Sequence, residues 1–211
     1  MNFVFQSNER ISSFVYDFPM RTATELRGEI LAAARAEFAT YGLAGARIDR
    51  VANAANASKE RLYAHFGDKE TLFRLVVATD GAAFFNAVTL RSDAVPEFVG
   101  DIFDLAHEHP EHLRMITWAR LEGIWLDEPS STGFDIPGRE VTAIEDAQAD
   151  GHVDPRWEPM ELLVMLFGIA MAWAHWPVQG EDPDDVVVAA RRAAAVEAAA
   201  RIIAPGGPAS M

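Results

Sequence analysis

The sequence contains no cysteine. That absence excludes disulfide scaffolds, cysteine-ligated zinc, iron–sulfur clusters and thiol nucleophiles. Long apolar runs are missing too. The longest, Leu162–Ala174, has thirteen residues, too few to span a bilayer and suited to a buried helix. The first twenty residues, MNFVFQSNERISSFVYDFPM, carry Glu9, Arg10 and Asp17 and lack a basic start and a continuous apolar stretch, so they do not read as a secretory signal. A cytoplasmic protein with no membrane partner is expected. There is no glycine-rich phosphate loop and no HExxH pair, and nothing else supports an enzyme using a helical pocket; no enzymatic activity is expected.

Positive charge is scarce. The 211 residues sum to a net charge of −14, with only two lysines, Lys59 and Lys69. A chain this acidic does not bind nucleic acid or an anionic membrane with its whole surface, so a nucleic-acid site has to be a local patch. The charge is unevenly spread. Residues 1–80 hold ten acids and ten bases, whereas residues 81–211 hold 22 acids and eight arginines. This asymmetry points to two modules with different partners.

Strand signals are almost absent, and nearly every segment repeats with helical period. Leu26, Ile30, Ala34, Phe38 and Tyr41 form one apolar stripe that stops at Gly42. A short helix over Arg47–Ala54 follows, with Ile48 and Val51 inward. After Ala55-Asn56-Ala57, Ser58 is a natural N-cap for Lys59–Phe66, because its hydroxyl accepts an orphan amide of the first turn. Gly67-Asp68 separates that helix from one running from Lys69 into the eighties. Val95, Phe98, Val99, Ile102, Phe103 and Ala106 make an amphipathic stripe. Pro110 opens a helix expected to reach about Leu126, apolar on two faces: Leu113, Ile116 and Ile124 on one, Met115, Trp118 and Trp125 on the other. Such a helix is buried or lines a cavity. Residues 127–138 read as a loop. Arg139–Asp150, Trp157–Trp176 and Asp184–Ile203 complete the helices.

Residues 47–66 carry the functional signal. A short helix, a tight turn and a second short helix make a helix-turn-helix layout, with small Ala52 allowing a close crossing. Asn56 stands at the turn, where a left-handed backbone is expected and Asn tolerates it. The second helix presents Lys59, Arg61 and His65 outward and Leu62 and Phe66 inward, a geometry that fits the major groove.

The stretch from Arg27 to Leu75 resembles the DNA-binding domain of the tetracycline-repressor (TetR) family of bacterial transcriptional regulators. The resemblance is carried by Ser58-Lys59, Leu62-Tyr63, Phe66, Asp68-Lys69-Glu70, Leu72 and Phe73. It covers about 50 residues; the remainder is similar to the family in helix number and character only. The resemblance implies that Ser58, Lys59 and Arg61, at the start of the recognition helix, reach base edges and phosphates. It implies phosphate contacts for Tyr63 and Lys69, and places His65 and Arg47 near the same strand. This sequence departs from the family pattern in four places. Ala46-Arg47 replaces the usual capping Thr, Asp49-Arg50 inverts the common order, Asn56 stands for the turn glycine, and Glu60 and Arg61 replace small residues. Base choice depends on those exposed positions, so the resemblance does not name an operator.

The resemblance further implies an all-α protein of about nine helices. Residues 20–67 form a three-helix helix-turn-helix domain and residues 68–205 a larger ligand-binding and dimerisation domain, with residues 206–211 a tail. Residues 1–19 precede the usual family start and are expected to be a disordered arm or a start-codon artefact. Double-stranded DNA, a second copy through residues about 157–203, and a small-molecule effector are the implied partners; no cofactor is. Palindromic operator binding released by the effector, in the manner of a repressor, is the expected mechanism. Candidate effector-lining residues are Phe103, Met115, Trp118, Glu122, Trp125, Met165, Met171, Trp173 and His175. His107, Glu108, His109 and His112 cluster in sequence, but Pro110 interrupts them, and no metal site is expected. An interaction module without DNA binding is the other alternative; Lys59, Tyr63 and Lys69 argue against it.

Overall fold

Helix α1 (Ala23–Gly45) begins where Thr22 and Glu25 cap each other. The Glu25 N–H donates to Thr22 Oγ1 at 3.2 Å and the Thr22 N–H to Glu25 Oε2 at 2.7 Å, satisfying two donors of the first turn reciprocally. In the computed structural model, which describes residues 22–124, 138–176 and 183–206, all regular structure is helical. After α1 come α2 (Ile48–Ala54), α3 (Lys59–Phe66), α4 (Lys69–Ala87), α5 (Val95–Glu108), α6 (Pro110–Leu121), α7 (Gly138–Ala149), α8 (Pro159–Ala170), α9 (Ala172–His175) and α10 (Asp185–Ile203).

The stripe on α1 is the floor of the first core. Leu26, Ile30, Ala34 and Phe38 are buried, while Tyr41 remains 47 % exposed. Phe38 meets Phe73 of α4 edge to face, 5.0 Å between centroids, and each such buried ring contributes about 2–3 kcal/mol. Gly42 ends the straight part of α1. Its φ of 63° lies in the left-handed region, and a Cβ there would sit 2.7 Å from the Trp118 indole. Only glycine meets both conditions.

α2 and α3 pack through Ala52, which is 4 % exposed, and Ala57 N–H donates to the Ala52 carbonyl at 2.9 Å. The turn runs through Asn56 at φ 46°, the left-handed conformation expected from its residue type. Ser58 accepts from Arg61 N–H at 3.3 Å, and Asp68 accepts from Thr71 N–H at 2.7 Å; each opens its helix as a side-chain N-cap.

The second core joins α5, α7, α8 and α10 around Phe98, Val99, Ile102, Ile144, Leu162, Leu166 and Ala199. α6 stands between the cores: Met115 and Ala119 enter the first and Leu113 the second. Of the faces read from its sequence, Met115 and Trp118 serve the first core together and Leu113 the second, but Ile124, expected on the face of Leu113, joins the first core. Two of the expected helices differ by more than one residue at a bound. α6 ends at Leu121 rather than about Leu126, because Gly123 turns the chain at φ 67°. The apolar stretch expected as one helix over Trp157–Trp176 starts at Pro159 and divides at Met171 into α8 and α9. That division makes the number of described helices ten rather than about nine. The expectation for residues 1–19 and the placement of Trp125 lie outside the described residues.

The end of α10 is tied back. Asp154 N–H donates to the Ile203 carbonyl at 2.9 Å and Trp157 Nε1–H to the Ile202 carbonyl at 3.1 Å. The Arg156 guanidinium and the N–H groups of Arg156 and Gly206 hold the Asp154 carboxyl far below the usual carboxylate range.

Candidate nucleic-acid interface and effector cleft

On α3, Leu62 and Phe66 face the core and the residues between them face solvent. Lys59, Arg61, Tyr63 and His65 are all exposed, as are Ser58 and Arg47. All six side chains lie on or beside the helix-turn-helix. Lys59 Nζ pairs with Asp49 of α2 at 2.5 Å, both side chains solvent-reached. The hydrogen bond to Asp49, and then its charge, raises the Lys59 pKa. Ser58 spends its oxygen on the cap. Lys69 is half-buried, and its Nζ donates to the carbonyls of Ala44 and Ala46 at 3.4 and 3.3 Å. It thus closes carbonyls at the C-terminal end of α1 as well as standing at the start of α4.

Two supporting residues were not singled out in the sequence. Glu37, 9 % exposed, accepts from Arg47 N–H at 2.8 Å and from Arg50 Nε at 2.8 Å. Burial opposes its charge most strongly. The hydrogen bonds from Arg50 and the Arg47 backbone, with both positive charges, outweigh that and leave the carboxyl below its ordinary value. This clamp fixes the start of α2 against α1. The signal was an acid beside Phe38 on the inward side of the α1 stripe. Arg27 lies over the Phe66 ring at 5.1 Å, an exposed cation of α1 close to the end of α3.

A cleft of about 920 Å³ opens on the other side of α1. Of the nine candidate lining residues, Phe103, Trp118, Trp173 and His175 border it. Met115 sits fully buried in the first core instead. Met171 packs against the second core, Met165 is half-buried on α8, and Glu122 is exposed in the turn after α6. Residues that sequence reasoning missed complete the walls, among them Thr40, His107, Arg114, Thr117, Val188 and Arg191. The lining comes from six helices, and α6 gives it a stripe of helical period, Pro110, Leu113, Arg114, Thr117, Trp118 and Leu121, whose mixed polarity hid it among the apolar faces. Thr40 belongs to α1, so this wall of the cleft is also part of the DNA-side scaffold. Trp118 makes the same link: its Nε1–H donates to the Ala39 carbonyl at 3.3 Å and its ring lies on Gly42.

Beside the cleft, buried Asp80 of α4 pairs with Arg35 of α1 and, at 2.8 Å, with His112 Nδ1 of α6. These three side chains lace together the helices that carry DNA-side and cleft-side residues. Pro110 begins α6 instead of scattering its neighbours. The donor atoms of His109, Glu111 and His112 come within 4.8 Å of one another, the described group able to approach a metal ion. No described helix is long and apolar enough to cross a membrane.

Residues 30–76 match the profile of bacterial regulatory proteins of the tetR family, and residues 94–201 match the tetracyclin repressor-like C-terminal domain. The chain is 33 % identical over 153 residues to the HTH-type transcriptional repressor SCO4008 of Streptomyces coelicolor, covering 72 % of this chain and 78 % of that one. It is 33 % identical over 142 residues to the HTH-type transcriptional repressor AcnR of Corynebacterium diphtheriae, covering 64 % and 72 %. The crystal structure of SCO4942 from Streptomyces coelicolor superposes with a TM-score of 0.72 at 39 % identity, over 84 % of this chain and 97 % of that one. With a helix-turn-helix whose α3 turns its polar face to solvent, and a cleft in the helical domain behind it, the chain belongs to the TetR family of ligand-responsive, DNA-binding transcriptional regulators.

Proposed function

We propose that this protein is a homodimeric repressor, working in the cytoplasm, that leaves a palindromic operator when a small molecule enters the cleft. The observation that carries the reading is the solvent face of α3. Lys59, Arg61, Tyr63 and His65 stand outward from a helix whose other side is locked by Leu62 and Phe66. Their N-terminal members face base edges when such a helix enters the major groove, and the flanking cations and hydroxyls meet phosphates. Arg47 at the start of α2 and Lys69 at the start of α4 lie at the ends of this face. SCO4008 and AcnR are transcriptional repressors, which supports repression as the sign of control.

Two copies are needed. A single helix-turn-helix makes few contacts, and two spaced by roughly 34–36 Å fit one helical turn of duplex. Exposed apolar side chains on α8 and α10 supply a surface for pairing: Met160 and Val164, with Val186 and Val187. A surface of this kind on a water-facing helix pair marks an association site.

Release follows from the shared wall. An effector in the cleft touches Thr40 and Trp118, which are bonded or packed to α1. If it binds more tightly to a state in which α1 and α4 carry the two α3 helices out of register, it shifts the population to that state. The test is binding of the purified protein to its own upstream intergenic region at two salt concentrations, beside an unrelated duplex. Specific binding that weakens steeply with salt is the expected result. Equal affinity for both duplexes overturns the reading.

A further inference from the structure

The cleft has a charge composition opposite to that of the domain around it. Residues 81–211 hold 22 acids and eight arginines, so acids outnumber the arginines there. Five of the eight are in salt bridges: Arg91 with Asp93, Arg139 with Glu140, Arg156 with Asp154, Arg192 with Asp101 and Asp104, and Arg201 with Glu197. Arg120, on the exposed side of α6, forms none with a described residue, and neither do Arg114 and Arg191, which differ from it in place: these two border the cleft. No aspartate or glutamate is among the described residues that line it.

The two guanidiniums are placed on different helices, α6 and α10. Arg191 lies over the Trp173 indole, 4.0 Å from the ring centroid. That contact holds the cation against the wall without neutralising it. The remaining lining is mostly apolar or aromatic, with Phe103, Leu113 and Trp118, plus the hydroxyls of Thr40 and Thr117 and the imidazoles of His107 and His175. A volume of about 920 Å³ suits a small organic molecule.

We infer that the effector is an organic carboxylate with an aromatic or apolar body, its anionic end held by Arg114 and Arg191. This rests on the reading of the cleft as the effector site. A carboxylate gains charge-assisted, fork-shaped hydrogen bonds from a guanidinium. A cation is repelled by both arginines, and a neutral molecule forgoes the charge term.

Calorimetric titration of the full-length protein with 2-naphthoate, 2-naphthamide and 2-naphthylmethylammonium tests the inference, since the three share one body and differ in charge. Naphthoate is expected to bind about tenfold or more tightly than the amide, with the ammonium weakest. R114Q and R191Q, both at solvent-reached positions, should each weaken naphthoate about tenfold and leave the amide unchanged. R114E should raise the affinity for the ammonium probe. Equal affinity for all three probes, or tight naphthoate binding indifferent to both glutamine variants, overturns the carboxylate class and leaves the cleft as an effector site. No binding of any probe at millimolar concentration, with operator binding intact, overturns both.

Discussion

Lys59 and Lys69, the only lysines in the chain, resemble each other in sequence and differ in their surroundings. Lys59 pairs with an exposed carboxylate across the turn, an interaction that is worth little in water and is easily traded for a phosphate. Lys69 holds two carbonyls of the bent end of α1. Lys59→Ala is therefore expected to weaken binding to all duplexes and lower the salt slope by about one, with thermal stability unchanged. Lys69→Ala is expected to lower both binding and stability. Fluorescence anisotropy at graded salt, beside thermal melts, separates the two. Glu37 gives a pH-dependent prediction. Its carboxyl is held below the ordinary value, so the stability it adds is complete above the ordinary carboxylate range and is lost as pH falls through its depressed value. Glu37→Gln should cost about 2 kcal/mol at pH 7. Urea titrations should find the gap between variant and wild type closing in acid. The residue types at these places were legible from sequence, but their partners were not. Nothing local says that Glu37 meets Arg50 thirteen positions away, or that Lys69 folds back over 23 positions to Ala46.

At the scale of elements, helices announced themselves wherever a stripe, a cap and a stop agreed. α3 has Ser58 before it and Gly67 after it, and its expected bounds match. α6 shows where such reading stops. Its two apolar faces were visible, but which face met the cleft depended on two cores assembled from distant segments. Met115 was expected at the cleft for that reason, and it lies under α1. The cleft itself was the least legible part, because six helices line it and the α6 face that does most of the lining mixes polar with apolar side chains. Trp118 and Gly42 form the contact that joins cleft to DNA side. Gly42→Ala places a side chain at φ 63° and against the indole, and is expected to cost at least about 2 kcal/mol, a fall in Tm of about 4–8 °C. In a Trp118→Ala background the same substitution should cost less, since only the backbone strain remains. A double-mutant cycle by calorimetry measures that difference.

At the scale of the whole molecule, the acidic domain and the charge-balanced DNA side divide the work between them. A domain of this sign repels DNA, which favours the proposed operator contact at α3 over the rest of the surface. In the proposed dimer the exposed valines of α8 and α10 lie in the pairing surface. Val164→Glu or Val187→Glu is expected to give a folded monomer with unchanged helical content and operator affinity reduced by at least about a hundredfold, because one half-site contact set is lost. Sedimentation velocity with circular dichroism checks the first part and anisotropy the second. The first core also includes Met115, Ala119 and Ile124 with the α1–α4 residues. A recombination that joined residues 22–67 to a foreign effector domain would strip those three side chains from beneath α1. The smallest transplantable reader of DNA is accordingly discontinuous: the N-terminal helices together with α6, a segment that also lines the cleft. Exchange of operator preference between members built this way has to proceed by substitution on the face of α3, and exchange of effectors by substitution on the cleft side of a helix whose other side is committed.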